Sequence, residues 1–384
     1  MLKYVIIVFV IVILVVFVLI KLDSFLPTQY NQTILENQYN STFETATDYN
    51  ITIKHQSKPL CTNNTHANGG NWELNIYKTD NIKKDKTFVC CGGGIESMYY
   101  RDDHLDVKEG YCSNNSTVTH DPFLLERGDT VYNTQCGDDC CICDREGNTR
   151  YNATERELYE WIPDQCYLVH FDAILFCTLL GDRKILFVGD STMQQTASTL
   201  MSMITNGKAL CAPQITFGWS THLVYSKFHN NLKNYIERND ADIVILTSGA
   251  HLSDIGDIWS IFTALENDIL LLRLNGMNTT LIWKTQNPGH VNCHLQHRPL
   301  RWDEHSPYEN DTDKYNWKIF KQFDEVAREY TKVLNISLID MSPLYYRPDG
   351  HVYGQKEDCL HYCQPGPLNL FSQLLLQKLY TNEI

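Results

Sequence analysis

Lys184-Ile185-Leu186-Phe187-Val188-Gly189-Asp190-Ser191-Thr192-Met193-Gln194-Gln195 decides the fold. Five residues that suit a buried strand run into Gly-Asp-Ser, and a helical pattern over Thr192–Ile204 follows at once. Three similar apolar runs come later: Asp242–Thr247 (DIVILT), Thr280–Lys284 (TLIWK) and Ile336–Asp340 (ISLID). Between them lie helical stretches near Ile258–Leu274 and over Tyr315–Leu334, the latter with Phe320, Phe323, Ala327, Tyr330 and Leu334 on one face. Leu368, Phe371, Leu375 and Leu379 give a last helix one apolar side. Short apolar strands alternating with helices predict an α/β fold whose parallel sheet is covered on both faces. Such a sheet binds ligands at the carboxyl ends of its strands.

Ser191 therefore stands where strand turns to helix, at that edge. A serine there gains backbone donors from the helix N-terminus, which suits an attacking oxygen and its developing oxyanion. Read alone, Asp190 and Ser191 are also ordinary helix-capping residues. The second element is Asp358-Cys359-Leu360-His361-Tyr362-Cys363-Gln364-Pro365-Gly366. Asp358 and His361 meet within one turn, so the carboxylate fixes the imidazole tautomer while the other ring nitrogen faces a nucleophile. Two cysteines beside them are placed to clamp the loop. A nucleophile elbow and a rigid Asp-x-x-His loop in one α/β domain point together to a Ser-His-Asp acyl transferase or hydrolase. Thr247-Ser248-Gly249-Ala250-His251 follows the second strand, where Gly249 is placed to offer an N–H to an oxyanion. The third strand exits through Thr285-Gln286-Asn287-Pro288-Gly289-His290, whose histidine is placed to contact substrate. The spacings of His290, His294 and His297, and of Cys136, Cys140, Cys141 and Cys143, fit zinc sites poorly.

The rest of the chain sets the compartment. Its 384 residues carry 32 Lys and Arg against 46 Asp and Glu, a formal charge of −14, which argues against a nucleic-acid partner. Tyr4–Ile20 is a run of apolar residues without a charge. As a helix it spans about 26 Å, close to the roughly 27 Å core of early secretory membranes, and no good signal-cleavage site follows. Asn-x-Ser/Thr begins at Asn31, Asn40, Asn50, Asn63, Asn114, Asn115, Asn152, Asn278, Asn310 and Asn335, and there are 14 cysteines. Together these predict a single-pass type II membrane glycoprotein with a disulfide-bonded body, in the Golgi or secretory lumen or at the cell surface. The expected organisation is an anchor over 1–21, a polar glycosylated stem over 22–85, a Cys-rich loop lobe over 86–180 and a catalytic domain over 181–384.

On these residues the chain resembles the PC-esterase branch of the GDSL/SGNH superfamily, which includes plant trichome birefringence-like polysaccharide O-acetyltransferases and NXPE-type proteins. Trp161-x-Pro163-x2-Cys166-x-Leu168-x2-Phe171 is similar to the family's approach to its Gly-Asp-Ser block. Asp358-Cys359-x-His361-Tyr362-Cys363-x-Pro365-Gly366 resembles its hallmark D-C-x-H-W-C-x-P-G, and Trp283-Lys284-Thr285 with Pro288-Gly289-His290 resembles a further block. The resemblance implies an SGNH-like sheet, with Ser191 as nucleophile, His361 as general acid/base and Asp358 as its orienting group. It implies acetyl transfer to or from sugar hydroxyls of a polysaccharide or glycoprotein glycan. No tightly bound cofactor is implied, only an acetyl donor such as acetyl-CoA as co-substrate. The chain departs from the family at Gln194, where plant members usually have Arg, and at Thr247, where Asn is common. Asn369-Leu370-Phe371-Ser372 replaces the usual Asp-x-Trp-Asn. Gln194, Thr247, Gly249, His251 and His290 form the expected oxyanion and substrate-binding set. A glycan O-acetyltransferase is the leading expectation, with an acetylesterase or a non-catalytic glycan-binding protein on the same scaffold as alternatives.

Overall fold

The computed structural model describes residues 58–62, 69–75, 159–205, 211, 214–220, 222–223, 232–313, 316–351, 359–362 and 366–384. The anchor, most of the stem, and Cys90, Cys91, Cys112, Cys136, Cys140, Cys141 and Cys143 lie outside these residues.

A five-stranded parallel sheet forms the centre. Its strands are β3 (Ile185–Gly189), β4 (Ile215–Trp219), β5 (Ile243–Leu246), β6 (Thr280–Lys284) and β7 (Ser337–Ile339), in the order β4-β3-β5-β6-β7. The strands alternate between two cores, as period-2 geometry requires. Ile185, Phe187, Ile243, Ile245, Ile282 and Ile339 point to one face, where α1 (Ala173–Leu180), α2 (Ser191–Thr205) and α6 (Asn369–Tyr380) pack. Leu186, Val188, Val244, Leu246 and Trp283 point to the other, under α3 (Leu232–Asn239), α4 (Ile255–Leu274) and α5 (Phe320–Leu334). Both faces are buried, so these strands read as continuous apolar runs. The chain leaves β3 toward β4 and returns to β5 on β3's other side. The crevice at this switch opens at the carboxyl ends of β3 and β5, where open α/β sheets place their sites.

The helix boundaries have local causes. Helix α4 starts three residues before the apolar pattern does, because Asp254 and Asp257 form a reciprocal capping box. Helix α5 starts at Phe320 rather than Tyr315. Asn316 adopts a left-handed conformation (φ 57°) and Trp317–Ile319 form a 3₁₀ turn, so the α pattern begins after them.

Part of the segment assigned to the stem belongs to the folded body. β1 (Gly70–Leu74) pairs antiparallel with β2 (Tyr159–Pro163), and Cys61 is bonded to Cys166. Trp72 and Trp161 pack at 5.6 Å, and Trp72 Nε1 donates to the Pro343 carbonyl at 2.8 Å, tying this ribbon to the sheet domain. Cys177, at the end of the segment read as a loop-rich lobe, lies on α1 and bonds to Cys211. Asn278, Asn310 and Asn335 are exposed.

Candidate active site

β3 ends at Gly189, where a Cβ would lie 2.6 Å from Met193 Cβ, so the sharp entry into α2 requires glycine. The buried Asp190 carboxylate then accepts from the Thr192 N–H at 2.9 Å and its hydroxyl at 2.7 Å. Asp190 thus takes the capping task, and Ser191, the first residue of α2, is left to face outward. Its Oγ lies 2.9 Å from His361 Nε2. That is hydrogen-bond reach for a nucleophile and its base, across 170 residues of sequence.

Contacts from several sides hold His361 in place. Cys359, two residues before it, is bonded to Cys293 in the loop after β6, and the Cys359 carbonyl accepts from the His290 N–H at 2.9 Å. His351 Nδ1 lies 2.9 Å from the His361 carbonyl. Gln195, one turn along α2 from Ser191, bonds twice to the backbone of Tyr362: its Nε2 donates to the carbonyl at 3.0 Å and its Oε1 accepts from the N–H at 3.1 Å. The fully buried Tyr362 hydroxyl donates to the Pro288 carbonyl at 2.8 Å. The helix that carries the serine therefore also grips the loop that carries the histidine.

The other expected residues take varied places. Gln194 is buried in the first turn of α2, its N–H donating to the Asp190 carbonyl. Thr247, fully buried, spends its hydroxyl on the Lys284 carbonyl at 2.9 Å, which links the ends of β5 and β6. Gly249 lies flush against the Gln286 side chain, leaving no room for a Cβ. His251 is exposed and lines a polar groove of about 470 Å³ with Ser253, Asp313, Asn316 and Lys318. His290 is buried behind the His361 loop, with both ring nitrogens engaged by His351 and the Tyr345 carbonyl. Asp358 and Cys363 lie outside the described residues. The pairing of Cys359 with Cys293 shows that the clamp runs to the β6 loop.

Charge is buried at the carboxyl ends of β6 and β7 and on α5. Lys284, fully enclosed at the end of β6, donates to the Thr285 carbonyl at 3.0 Å. Burial pushes its ammonium down to about 8, while the fields of Asp190 and Asp324 act to keep it charged. Asp324, on α5, accepts from the Gln286 N–H at 2.9 Å and the Tyr345 hydroxyl at 3.0 Å, yet burial pushes it up to about 7. Asp340 is also buried, but the fork of Arg328 at 2.7 and 3.1 Å holds it below its usual value. Among the described residues no three His, Cys, Asp or Glu side chains gather as a metal site.

Gln195 and His351 were not legible as site residues. Gln195 follows Gly-Asp-Ser closely enough to have drawn notice, and His351 precedes His361 by ten residues. Neither spacing by itself says that the side chain will bond to a distant backbone.

Residues 222–378 match the family described as PC-Esterase, the GDSL/SGNH-like acyl-esterase family found in Pmr5 and Cas1p. This span contains His361 and begins after Ser191. Protein trichome birefringence-like 36 of Arabidopsis thaliana is 21% identical over 295 residues, covering 59% of this chain and 76% of that protein. Xyloglucan O-acetyltransferase 1 of the same plant is 21% identical over 300 residues, covering 58% and 70%. Among solved structures, the periplasmic domain of a lipopolysaccharide acetyltransferase from Salmonella ser. Paratyphi A aligns with a TM-score of 0.36 and 18% identity, over 54% of this chain and 89% of that one. Over residues 222–378 the chain is therefore similar to the PC-esterase family, and it is distantly similar to the trichome birefringence-like and xyloglucan O-acetyltransferase proteins.

Proposed function

We propose that this protein is a glycan O-acetyltransferase that works through an acetyl-serine intermediate. The observation that carries the reading is the 2.9 Å contact between Ser191 Oγ and His361 Nε2 at the carboxyl edge of the sheet. In the proposed cycle Ser191 Oγ attacks the acetyl carbonyl of the donor while His361 takes the hydroxyl proton, with Asp358 orienting the ring. The donor's leaving group departs with a proton returned by His361. A sugar hydroxyl then gives its proton to His361, attacks the acetyl-serine and restores Ser191. Backbone N–H groups at the start of α2, with Gly249 and Gln194 nearby in sequence or on adjacent strand ends, are the candidate oxyanion donors. Acetyl-CoA is a candidate donor, entering as co-substrate rather than as a resident cofactor.

The proposed setting is the secretory lumen or cell surface, with residues 1–21 as the anchor. The three disulfides among the described residues and the exposed sequon asparagines Asn278, Asn310 and Asn335 suit it. The exchange is tested by incubating the full chain with acetyl-CoA and a panel of xylan and xyloglucan oligosaccharides, followed by mass spectrometry. Acetylated oligosaccharide formed by the wild type and not by Ser191→Ala supports the transferase. Release of acetate from acetylated oligosaccharides with no transfer product identifies an acetylesterase, in which water takes the place of the sugar hydroxyl.

A further inference from the structure

Behind His361, four ring nitrogens lie in a row between two carbonyls. His351 Nδ1 is 2.9 Å from the His361 carbonyl, His351 Nε2 is 2.7 Å from His290 Nδ1, and His290 Nε2 is 3.0 Å from the Tyr345 carbonyl. A carbonyl oxygen only accepts, so each outer nitrogen must carry a hydrogen. Two neutral imidazoles have one N–H each, and both are spent at the ends. The inner nitrogens would then meet lone pair to lone pair at 2.7 Å, which is repulsive. A third hydrogen between them converts the clash into a charge-assisted N–H···N bond and leaves the pair with one positive charge.

We infer that His290 and His351 share one buried proton, forming an imidazole–imidazolium pair that pins the backbone of His361, and that loss of this proton releases the pin. Both rings are buried, at 8% and 2% exposure. The His351 ring lies over Tyr362 with centroids 4.2 Å apart, a contact that favours a cation. Other charged or titratable groups face the pair from each side. Arg347 and Asp349 form a fully buried two-point ion pair, Lys321 on α5 lies exposed over the Tyr345 ring and bonds to Glu309, and the Tyr345 hydroxyl leads to Asp324. Burial opposes the charge most strongly, dragging His290 down to about 4, and Arg347 and Lys321 act with it. The Tyr345 carbonyl and Asp349 act against that pull. The geometric ground for the third proton is that without it either the 2.7 Å ring contact or the 3.0 Å contact to the Tyr345 carbonyl sets two lone pairs against each other. A proton held against burial is also one that rising pH removes, so the pin is pH-sensitive. Its effect on catalysis rests on His361 being the base for Ser191; the proton count does not.

The test has two arms on the full chain. At pH 6, NMR of ¹⁵N-histidine-labelled protein is expected to show three ring protons for this pair. One is a downfield proton bonded between the two rings, and it is lost in H290L. Two neutral rings with bare inner nitrogens would overturn the proposal, whatever the activity. In the second arm, labelling of Ser191 by a fluorophosphonate is timed across pH. H290L is expected to label about tenfold more slowly at pH 7, the scale of one lost hydrogen bond. H290N supplies an N–H to His351 Nε2 without a titrating ring. It should recover most of the lost rate and remove the part of the alkaline decline that belongs to the pair. Equal rates for H290L and H290N, or an unchanged alkaline decline in H290N, would overturn the pinning role. Absence of labelling in the wild type would instead count against Ser191 as nucleophile, and the NMR arm would still decide the proton.

Discussion

At the scale of single residues, the site depends on groups that touch backbone rather than substrate. Gln195 is the clearest case, since one side-chain amide satisfies both the N–H and the carbonyl of Tyr362. Both partners are buried, so removing the amide leaves two unsatisfied polar groups in the His361 loop. Gln195→Ala is expected to cost about 2–4 kcal/mol of stability and to slow labelling of Ser191 in the protein that remains folded. Urea unfolding and labelling kinetics measure the two effects; a variant unchanged in both would remove Gln195 from the account. Ser191 and His361 were readable because each sits in a short pattern with a chemical logic of its own. The grip of Gln195 was not, because the residues it joins are 167 apart and its chemistry is that of any buried amide.

At the scale of elements, three strand ends and two loops converge. β3 delivers Ser191, and the loop after β6 is cross-linked to the His361 loop by Cys293–Cys359, which closes 66 residues of chain. Opening that link with C293S and C359S together is expected to cost about 2–4 kcal/mol, largely through the freed unfolded chain. It should also loosen His361 and lower the Ser191 labelling rate. Unfolding with and without reductant, compared with the double variant, measures the first term. No loss in either stability or labelling would mean that the hydrogen bonds alone hold the loop. Four of the five sheet strands were legible as apolar runs, because burial on both faces removes polar alternation. β4 was not: Ile215-Thr216-Phe217-Gly218-Trp219 mixes Thr and Gly into an edge strand. The β1–β2 ribbon escaped for a different reason. Its register pairs Gly70 with Pro163 across a long intervening segment, and local composition around β1 is that of a polar stem.

At the scale of the molecule, buried charge couples the folded state to pH. Asp324 rises from an ordinary 3.8 to about 7 on folding, so between these values the folded chain holds a proton that the unfolded chain has lost. The stability tied to the neutral carboxyl is complete below about pH 4 and is lost as pH rises through about 7. Asp324→Asn keeps the shape without the titration. Relative to the wild type it should therefore gain stability from pH 4 to pH 8, by up to about 4 kcal/mol. Urea unfolding of both proteins across that range gives the difference directly, and a flat difference would show that Asp324 keeps an ordinary carboxylate value in the fold. Burial likewise pushes Lys284, at the end of β6, down to about 8. The central claim is that the carboxyl edge of the sheet presents Ser191 as an activated nucleophile. Fluorophosphonate treatment of the full chain followed by peptide mass spectrometry tests it most directly. The account predicts a single adduct on Ser191 that is abolished by His361→Ala; an unmodified Ser191 in folded wild-type protein would contradict it.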